Sequence, residues 1–182
     1  VLERAGIDNV IATARKLGIM TDLTHDASLA LGTSEVTLIE LTAAYAAFAS
    51  GGIGTWPYGI VEIRNAHGGV IYRRQGSGPG RVIDANIAGV MNRLLTGVLT
   101  YGTGKAARLD RPAAGKTGTT QDSRDALFVG YTADLVCGVW LGNDDDSPMA
   151  HVTGGTLPAQ TWHNFMVAAT HGMPVRPLPG EN

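Results

Sequence analysis

The sequence predicts a mixed α/β chain of the α+β kind, an antiparallel sheet with helices over both faces. Three observations carry this expectation. Residues 84–98 place Ile87, Val90, Met91, Leu94, Leu95 and Val98 at positions i, i+3, i+4, i+7, i+8 and i+11, the stripe of an amphipathic helix. Three strand candidates follow near 113–120, 126–132 and 135–142, and the last two are joined so tightly at Asp134 that they must run antiparallel. Those two are also apolar on both faces (Leu127, Phe128, Val129; Leu135, Val136, Val139, Trp140), as strands covered on both sides are.

The remaining elements fall into place around these. Gly6 followed by Asp8 reads as a helix end and a new N-cap, with Val10, Ala14 and Leu17 on one face and Gly18 closing the helix. Thr37-Leu38-Ile39-Glu40 is a capping box, in which the Thr37 hydroxyl accepts from the Glu40 amide and Glu40 reaches back. Leu38, Leu41, Tyr45 and Phe48 keep helical spacing up to Gly51-Gly52, which stop the helix. Residues 58–74 read as a hairpin turning at His67-Gly68-Gly69, because Val61 and Ile63 alternate with Glu62 and Arg64. The stretch 75–80, Q-G-S-G-P-G, is a surface loop, after which Asp84 caps the long helix that Tyr101-Gly102-Thr103-Gly104 ends. A last helix begins near Pro158, a favoured first-turn residue, and runs through Trp162, Phe165, Met166 and Ala169. Residues 1–173 form one unit, and the proline-rich tail 174–182 is expected to fray.

Composition narrows the function. The 182 residues are 44% hydrophobic and 16% charged, enough apolar surface for a packed core. Fourteen basic against 16 acidic side chains leave a formal net charge of -2, which argues against a nucleic-acid partner. No apolar run approaches the roughly 20 residues of a membrane span. Cys137, alone in the sequence, excludes a disulfide framework and a cysteine zinc site, and its apolar neighbours make it an inert core residue. No H-x-x-x-H spacing exists among His25, His67, His151, His163 and His171, so neither metal nor cofactor is expected. Asp144-Asp145-Asp146 reads as a strand-ending loop. Val1-Leu2-Glu3-Arg4 opens inside what reads as a helix, so the chain is expected to be a piece of a longer one.

The chemistry concentrates in Ala114-Gly115-Lys116-Thr117-Gly118-Thr119-Thr120. Lys116 supplies a fixed positive charge, and Thr117 and Thr119 put two hydroxyls on the same strand face. Strict alternation sends Lys116 to the other face, so the three reach one site only at a strand edge. A cation near two hydroxyl donors suits a carboxylate, and an exposed edge lets an extended peptide add as a further strand. A phosphate-binding loop is the poorer reading, since Asp110 stands where its first glycine is needed and a strand follows where a helix should.

A-G-K-T-G-T-T at 114–120, R-D-A-L-F-V-G-Y-T at 124–132, G-V-W-L-G-N-D-D at 138–145 and V-T-G-G-T-L-P-A at 152–159 together resemble the C-terminal part of the transpeptidase domain of class A, bifunctional penicillin-binding proteins. L-A-L-G-T-S-E-V-T at 29–37, A-A-Y-A-A-F-A-S-G-G at 43–52 and Y-G-T-G-K-A-A at 101–107 extend the likeness over nearly the whole chain. The resemblance implies the fold shared with serine β-lactamases, a five-stranded antiparallel sheet with helices on both faces. It implies a peptidoglycan D,D-transpeptidase in which the serine of an S-x-x-K motif attacks the penultimate D-alanine carbonyl of a stem peptide, with S-x-N assisting and K-T-G on the opposite wall.

Carried onto this sequence, the resemblance makes Lys116 and Thr119 catalytic. Lys116 would tune the site's electrostatics and help relay a proton, and the Thr119 backbone N–H would be one of two oxyanion donors. Thr117 and Thr119 would hold the substrate's terminal carboxylate, which penicillins mimic, and Gly118 would permit close approach. Arg124 and Asp125 read as a structural pair. None of the serines at 28, 34, 50, 77, 123 and 147 has a lysine three places on or an asparagine two places on. The nucleophile is therefore expected upstream of Val1, and this chain alone is expected to be inactive. Implied partners are stem peptides, β-lactams, and either the missing N-terminal half of the domain or a second copy pairing through strand 135–142. The implied location is the extracytoplasmic face of the bacterial inner membrane, with an anchor outside this chain. Two other readings stay open: a fragment of a serine β-lactamase or D,D-carboxypeptidase, and a non-catalytic peptide-binding or scaffold module.

Overall fold

A computed structural model describes residues 1–76 and 78–180. A three-stranded antiparallel sheet lies at its centre, built from β5 (Ala114–Thr119), β6 (Asp125–Tyr131) and β7 (Val136–Gly142) in that order. It is preceded by α1 (Leu2–Ala5), α2 (Ile7–Lys16), α3 (Leu38–Ala49), the short strand β1 (Ile53–Gly54), β2 (Glu62–Arg64), β3 (Val70–Arg73), β4 (Gly80–Arg81) and α4 (Ala85–Thr100), and followed by α5 (Leu157–Ala169). β2 and β3 form the expected hairpin, and β1 pairs with β4.

Each face of the sheet carries a helix. α3 packs on β6 and β7 from one side, and α5 packs on the same two strands from the other. Alternation along β6 divides its side chains accordingly. Phe128 meets Trp162 of α5 with ring centroids 5.2 Å apart, while Tyr131 joins Tyr45 and Phe48 of α3 in a second core. Gly138 of β7 explains how close α3 comes, since a Cβ there would lie 3.0 Å from Leu38 Cδ1 and closer still to the Thr42 hydroxyl. α4 runs along β5 and feeds both cores, Leu99 one and Leu95 the other.

Local signals set the helix starts. The Thr37 hydroxyl accepts from Glu40 N–H (3.3 Å) and Asp84 accepts from Asn86 N–H (2.8 Å), as the capping patterns require. Glu40 does not reach back to the Thr37 amide. Its carboxylate instead takes the Thr21 hydroxyl (2.6 Å), Met20 N–H (3.0 Å) and the Thr37 hydroxyl (3.0 Å), tying the 17–22 segment to α3. At the chain start, Gly6 rather than Asp8 is the N-cap. Its φ of 82° turns the chain between α1 and α2, leaving Asp8 in the first turn beside His25 (2.7 Å). Leu157, not Pro158, is the first residue of α5, and Pro158 sits one place on.

Three further expectations are corrected. On α4 the buried side is Ala88, Asn92, Leu95 and Leu99, whereas Ile87 and Leu94 are 56% and 62% exposed. A buried polar network decides this. Asn92 accepts from the Tyr131 hydroxyl (2.7 Å) and donates to the carbonyls of Phe48 (3.2 Å) and Pro179 (2.8 Å), so the helix turns its asparagine inward. Phe165 is 54% exposed, because Trp162 and Met166 already fill the α5 face that meets the sheet. The tail is not frayed over 174–180. Leu178 is 1% exposed within the α3 core, Arg93 donates to the Gly180 carbonyl (2.9 Å), and Arg176 pairs with Asp134 (2.9 Å). The last two residues lie outside the described ones, as does Ser77 of the 75–80 loop.

Candidate functional site

β5 lies at one edge of the central sheet, paired with β6 through Thr117↔Phe128, Gly118↔Leu127 and Thr119↔Ala126. The bond from Thr120 N–H to the Asp125 carbonyl (3.0 Å) sets the phase of this ladder. In antiparallel pairing, hydrogen-bonded and non-hydrogen-bonded pairs alternate. Stepping back two residues at a time makes Gly118 and Lys116 the bonded positions. The main-chain N–H and C=O of Thr117 and Thr119 therefore turn away from β6, to the free edge. Lys116 uses one of these groups, donating from Nζ to the Thr117 carbonyl (2.8 Å).

The threonine side chains of this edge open into a cleft of about 400 Å³ lined by Thr103, Thr117, Thr119, Thr153, Gly155 and Thr156. Thr117 Oγ1 lies 2.7 Å from Thr103 Oγ1, and Thr119 Oγ1 accepts from Gly154 N–H at 3.0 Å. The 153–156 loop leads into α5 and lies flat on the strand. A Cβ on Gly154 would lie 2.8 Å from Gly118 N and even nearer two main-chain oxygens, so only glycine lets the backbones approach this closely. The loop closes on itself, with Thr153 N–H donating to Thr156 Oγ1 (2.9 Å) and Thr156 Oγ1 donating to the Thr153 carbonyl (2.8 Å). Since Thr156 is the N-cap of α5, the positive end of that helix's dipole opens on the same cleft.

Of the residues singled out in the sequence, the structure thus brings Thr117 and Thr119 together. Lys116 is exposed, lies on the opposite strand face and is not among the cleft's lining residues. Gly118 faces Leu127 across the ladder, where a Cβ would stand 2.8 Å from Leu127 Cδ1. Thr103, Thr153 and Thr156 are additional. All three lie in motif stretches of the sequence, Y-G-T-G and V-T-G-G-T. Residues 101–104 could rim a groove on sequence grounds, with a helix-ending turn the preferred reading, while the 153–156 loop offers no chemical reason to select Thr153 or Thr156.

Arg124 and Asp125 do not pair with each other. Arg124 binds the carbonyl and carboxylate of Asp146, and Asp125 accepts from the Trp140 indole (2.8 Å), so each ties a different neighbour to the start of β6. Asp145 accepts from Ser147 N–H (3.0 Å), which lowers its carboxyl below the usual range together with the Ser147 hydroxyl, the larger cause. Burial raises the Cys137 thiol above its usual range.

The free edge of β5, the two hydroxyls beside it and the start of α5 together form a cleft suited to an extended, anionic ligand. The chain belongs to the penicillin-binding protein transpeptidase family: the profile described as Penicillin binding protein transpeptidase domain matches residues 4–166. Penicillin-binding protein 1A of Aquifex aeolicus is 36% identical over 186 residues, covering 100% of this chain and 25% of the relative. Penicillin-binding protein 2D of Bacillus subtilis is 35% identical, covering 93% and 25% respectively. The chain thus spans about a quarter of the length of the curated relatives it matches. Among solved structures, the PonA1 protein from Mycobacterium tuberculosis in complex with penicillin V is similar with a TM-score of 0.84 at 25% identity, over 96% of this chain and 52% of that one. Penicillin-Binding Protein 1A from Haemophilus influenzae reaches 0.86 over 98% and 33%, a likeness of fold at 23% identity.

Proposed function

We propose that this chain forms the K-T-G wall of a peptidoglycan D,D-transpeptidase that acts through an acyl-serine intermediate. The observation that carries the reading is the pairing of Thr117 and Thr119 hydroxyls with their outward-turned main-chain groups at one free strand edge. The acyl donor of a stem peptide, or a penicillin in its place, lies along β5. Thr117 and Thr119 hold its terminal carboxylate, Gly118 lets it come close, and the Thr119 N–H stabilises the developing oxyanion. Lys116 supplies positive charge from the opposite strand face, where its Nζ reaches the Thr117 carbonyl at the edge, and relays a proton. The serine and its lysine come from residues outside this chain, since no S-x-x-K occurs within it. The reaction takes place on the extracytoplasmic side of the membrane, where peptidoglycan is.

The test uses a fluorescent penicillin, denaturing electrophoresis and intact mass. This chain alone forms no stoichiometric adduct, whereas the full protein that contains it does. Lys116→Ala in the full protein slows acylation at least tenfold with little change in stability, because an exposed lysine contributes little to folding. Lys116→Arg restores it only in part, since a guanidinium does not release a proton. An adduct on the isolated chain, or wild-type rates in both variants, overturns the reading. A purely peptide-binding module also uses a free strand edge, and it would show binding without any adduct in the full protein.

A further inference from the structure

Thr103 occupies a position that its role as a helix-ending residue does not require. Past the end of α4, Gly102 N–H returns to the Gly97 carbonyl (3.0 Å) and Gly104 N–H to the Val98 carbonyl (2.9 Å), so the turn is folded down against the helix on both sides of Thr103. From the other direction the 153–156 loop presses against it, with Gly155 so close to the Thr103 carbonyl that a Cβ would collide. The outcome is a hydroxyl held 2.7 Å from Thr117 Oγ1 in the lining of the cleft.

A hydroxyl has one proton and two acceptor lone pairs, and its proton rotates to suit its neighbours. Thr119 already has a donor behind it, since Gly154 N–H fills one lone pair and leaves its proton free to point into the cleft. We infer that Thr103 does for Thr117 what Gly154 does for Thr119: it is a positioning residue that donates to Thr117 Oγ1 and turns the Thr117 proton toward the ligand. With one lone pair of each hydroxyl occupied, the pair becomes a socket of two donors, which favours a charged carboxylate over a neutral amide or ester at the same place. Without Thr103 the Thr117 proton would no longer be held in place, and orienting it toward the anion would cost part of the binding. The inference rests on the carboxylate-binding reading above and deepens it, by assigning the selectivity for a charged terminus to a residue outside K-T-G.

The experiment uses the full protein carrying this chain, with Thr103→Val and Thr103→Ser. Binding of acetyl-D-alanyl-D-alanine and of its C-terminal amide is measured by NMR titration, and acylation by benzylpenicillin and by its methyl ester is followed by intact mass. Removal of one hydrogen bond of this kind weakens carboxylate binding by about tenfold. Thr103→Val is therefore expected to lose about tenfold toward the acid forms in both assays and to leave the amide and ester unchanged, while Thr103→Ser restores the acids. The acylation loss should lie in the half-saturating concentration rather than in the limiting rate. Equal losses for acid and neutral probes would mean a structural role and overturn the inference, as would a Thr103→Val protein that still prefers the acids by the wild-type ratio. A wild-type protein that binds the acid dipeptide but is never acylated would defeat the transpeptidase reading alone, and the Thr103 inference would still stand or fall on the dipeptide titration.

Discussion

Asn92 ties α4 to three other parts of the fold. It is fully buried, and its amide joins α4 to β6 through the Tyr131 hydroxyl, to α3 through the Phe48 carbonyl and to the tail through the Pro179 carbonyl. Buried polar groups stripped of partners cost far more than the net value of the bond. Asn92→Ala is therefore expected to destabilise the fold by about 2–3 kcal/mol, since it removes a donor from two carbonyls and an acceptor from Tyr131 while leaving a small cavity. Urea unfolding of wild type and variant measures this, and a shift below about 0.5 kcal/mol would show that the network carries no weight. The same residue explains why the α4 face was misread from the sequence. Periodicity reports that a helix has an apolar stripe, and Ile87, Val90 and Leu94 supply a good one. It does not report that a polar side chain will be recruited inward by a tyrosine 39 positions on. In contrast Thr37 and Asp84 were legible, because a cap is decided within three residues.

At the scale of elements, α3 is fixed at its start by a cluster that depends on charge. The Thr21 hydroxyl is the chief cause that pulls the Glu40 carboxyl from its ordinary 4.5 down to about 2, with Met20 N–H and Thr37 adding to it and partial burial opposing it. A carboxyl whose folded value is depressed stabilises the fold fully above its unfolded value, and that contribution disappears as pH falls toward the folded value. The Glu40→Gln variant should therefore melt below wild type at neutral pH, with the gap narrowing between pH 4.5 and about 2. A gap that stayed constant over that range, followed by circular dichroism, would remove the charge from the explanation. The central strands were equally readable: β5, β6 and β7 appear within one or two residues of their expected bounds, because apolar runs separated by a tight turn leave few alternatives. The cleft was readable only in part. Thr117 and Thr119 announce themselves through K-T-G, but Thr103, Thr153 and Thr156 reach the site from a turn and a loop whose placement depends on how α4 and α5 dock against β5.

Over the whole molecule, the two edges of the central sheet have opposite characters. The β5 edge is polar and opens on the cleft. The β7 edge is bounded by Val136, Cys137, Val139, Trp140 and Leu141, carries no charged side chain, and among the described residues has no partner strand other than β6. Uncharged, flat edges are templates for further pairing. The isolated chain is accordingly expected to sediment as an oligomer unless another segment is supplied to pair with β7. Analytical ultracentrifugation of the purified chain decides this, and a stable monomer over a wide concentration range would be the contrary result. Trp140→Lys, which places a charge on that strand, should shift the population toward monomer.

The docking of the tail has a consequence for the order in which the molecule is made. Asn92 and the Pro179 carbonyl it holds are 87 residues apart in the chain. At ordinary rates of synthesis that separation corresponds to roughly 4–17 s between the appearance of one partner and the other. Through that interval Asn92 of α4 lacks two of its three partners until Tyr131 is made, and one until Pro179 is made, with the space later filled by Leu178 still open. The α3 side of the sheet closes last, after every residue of the cleft has already emerged.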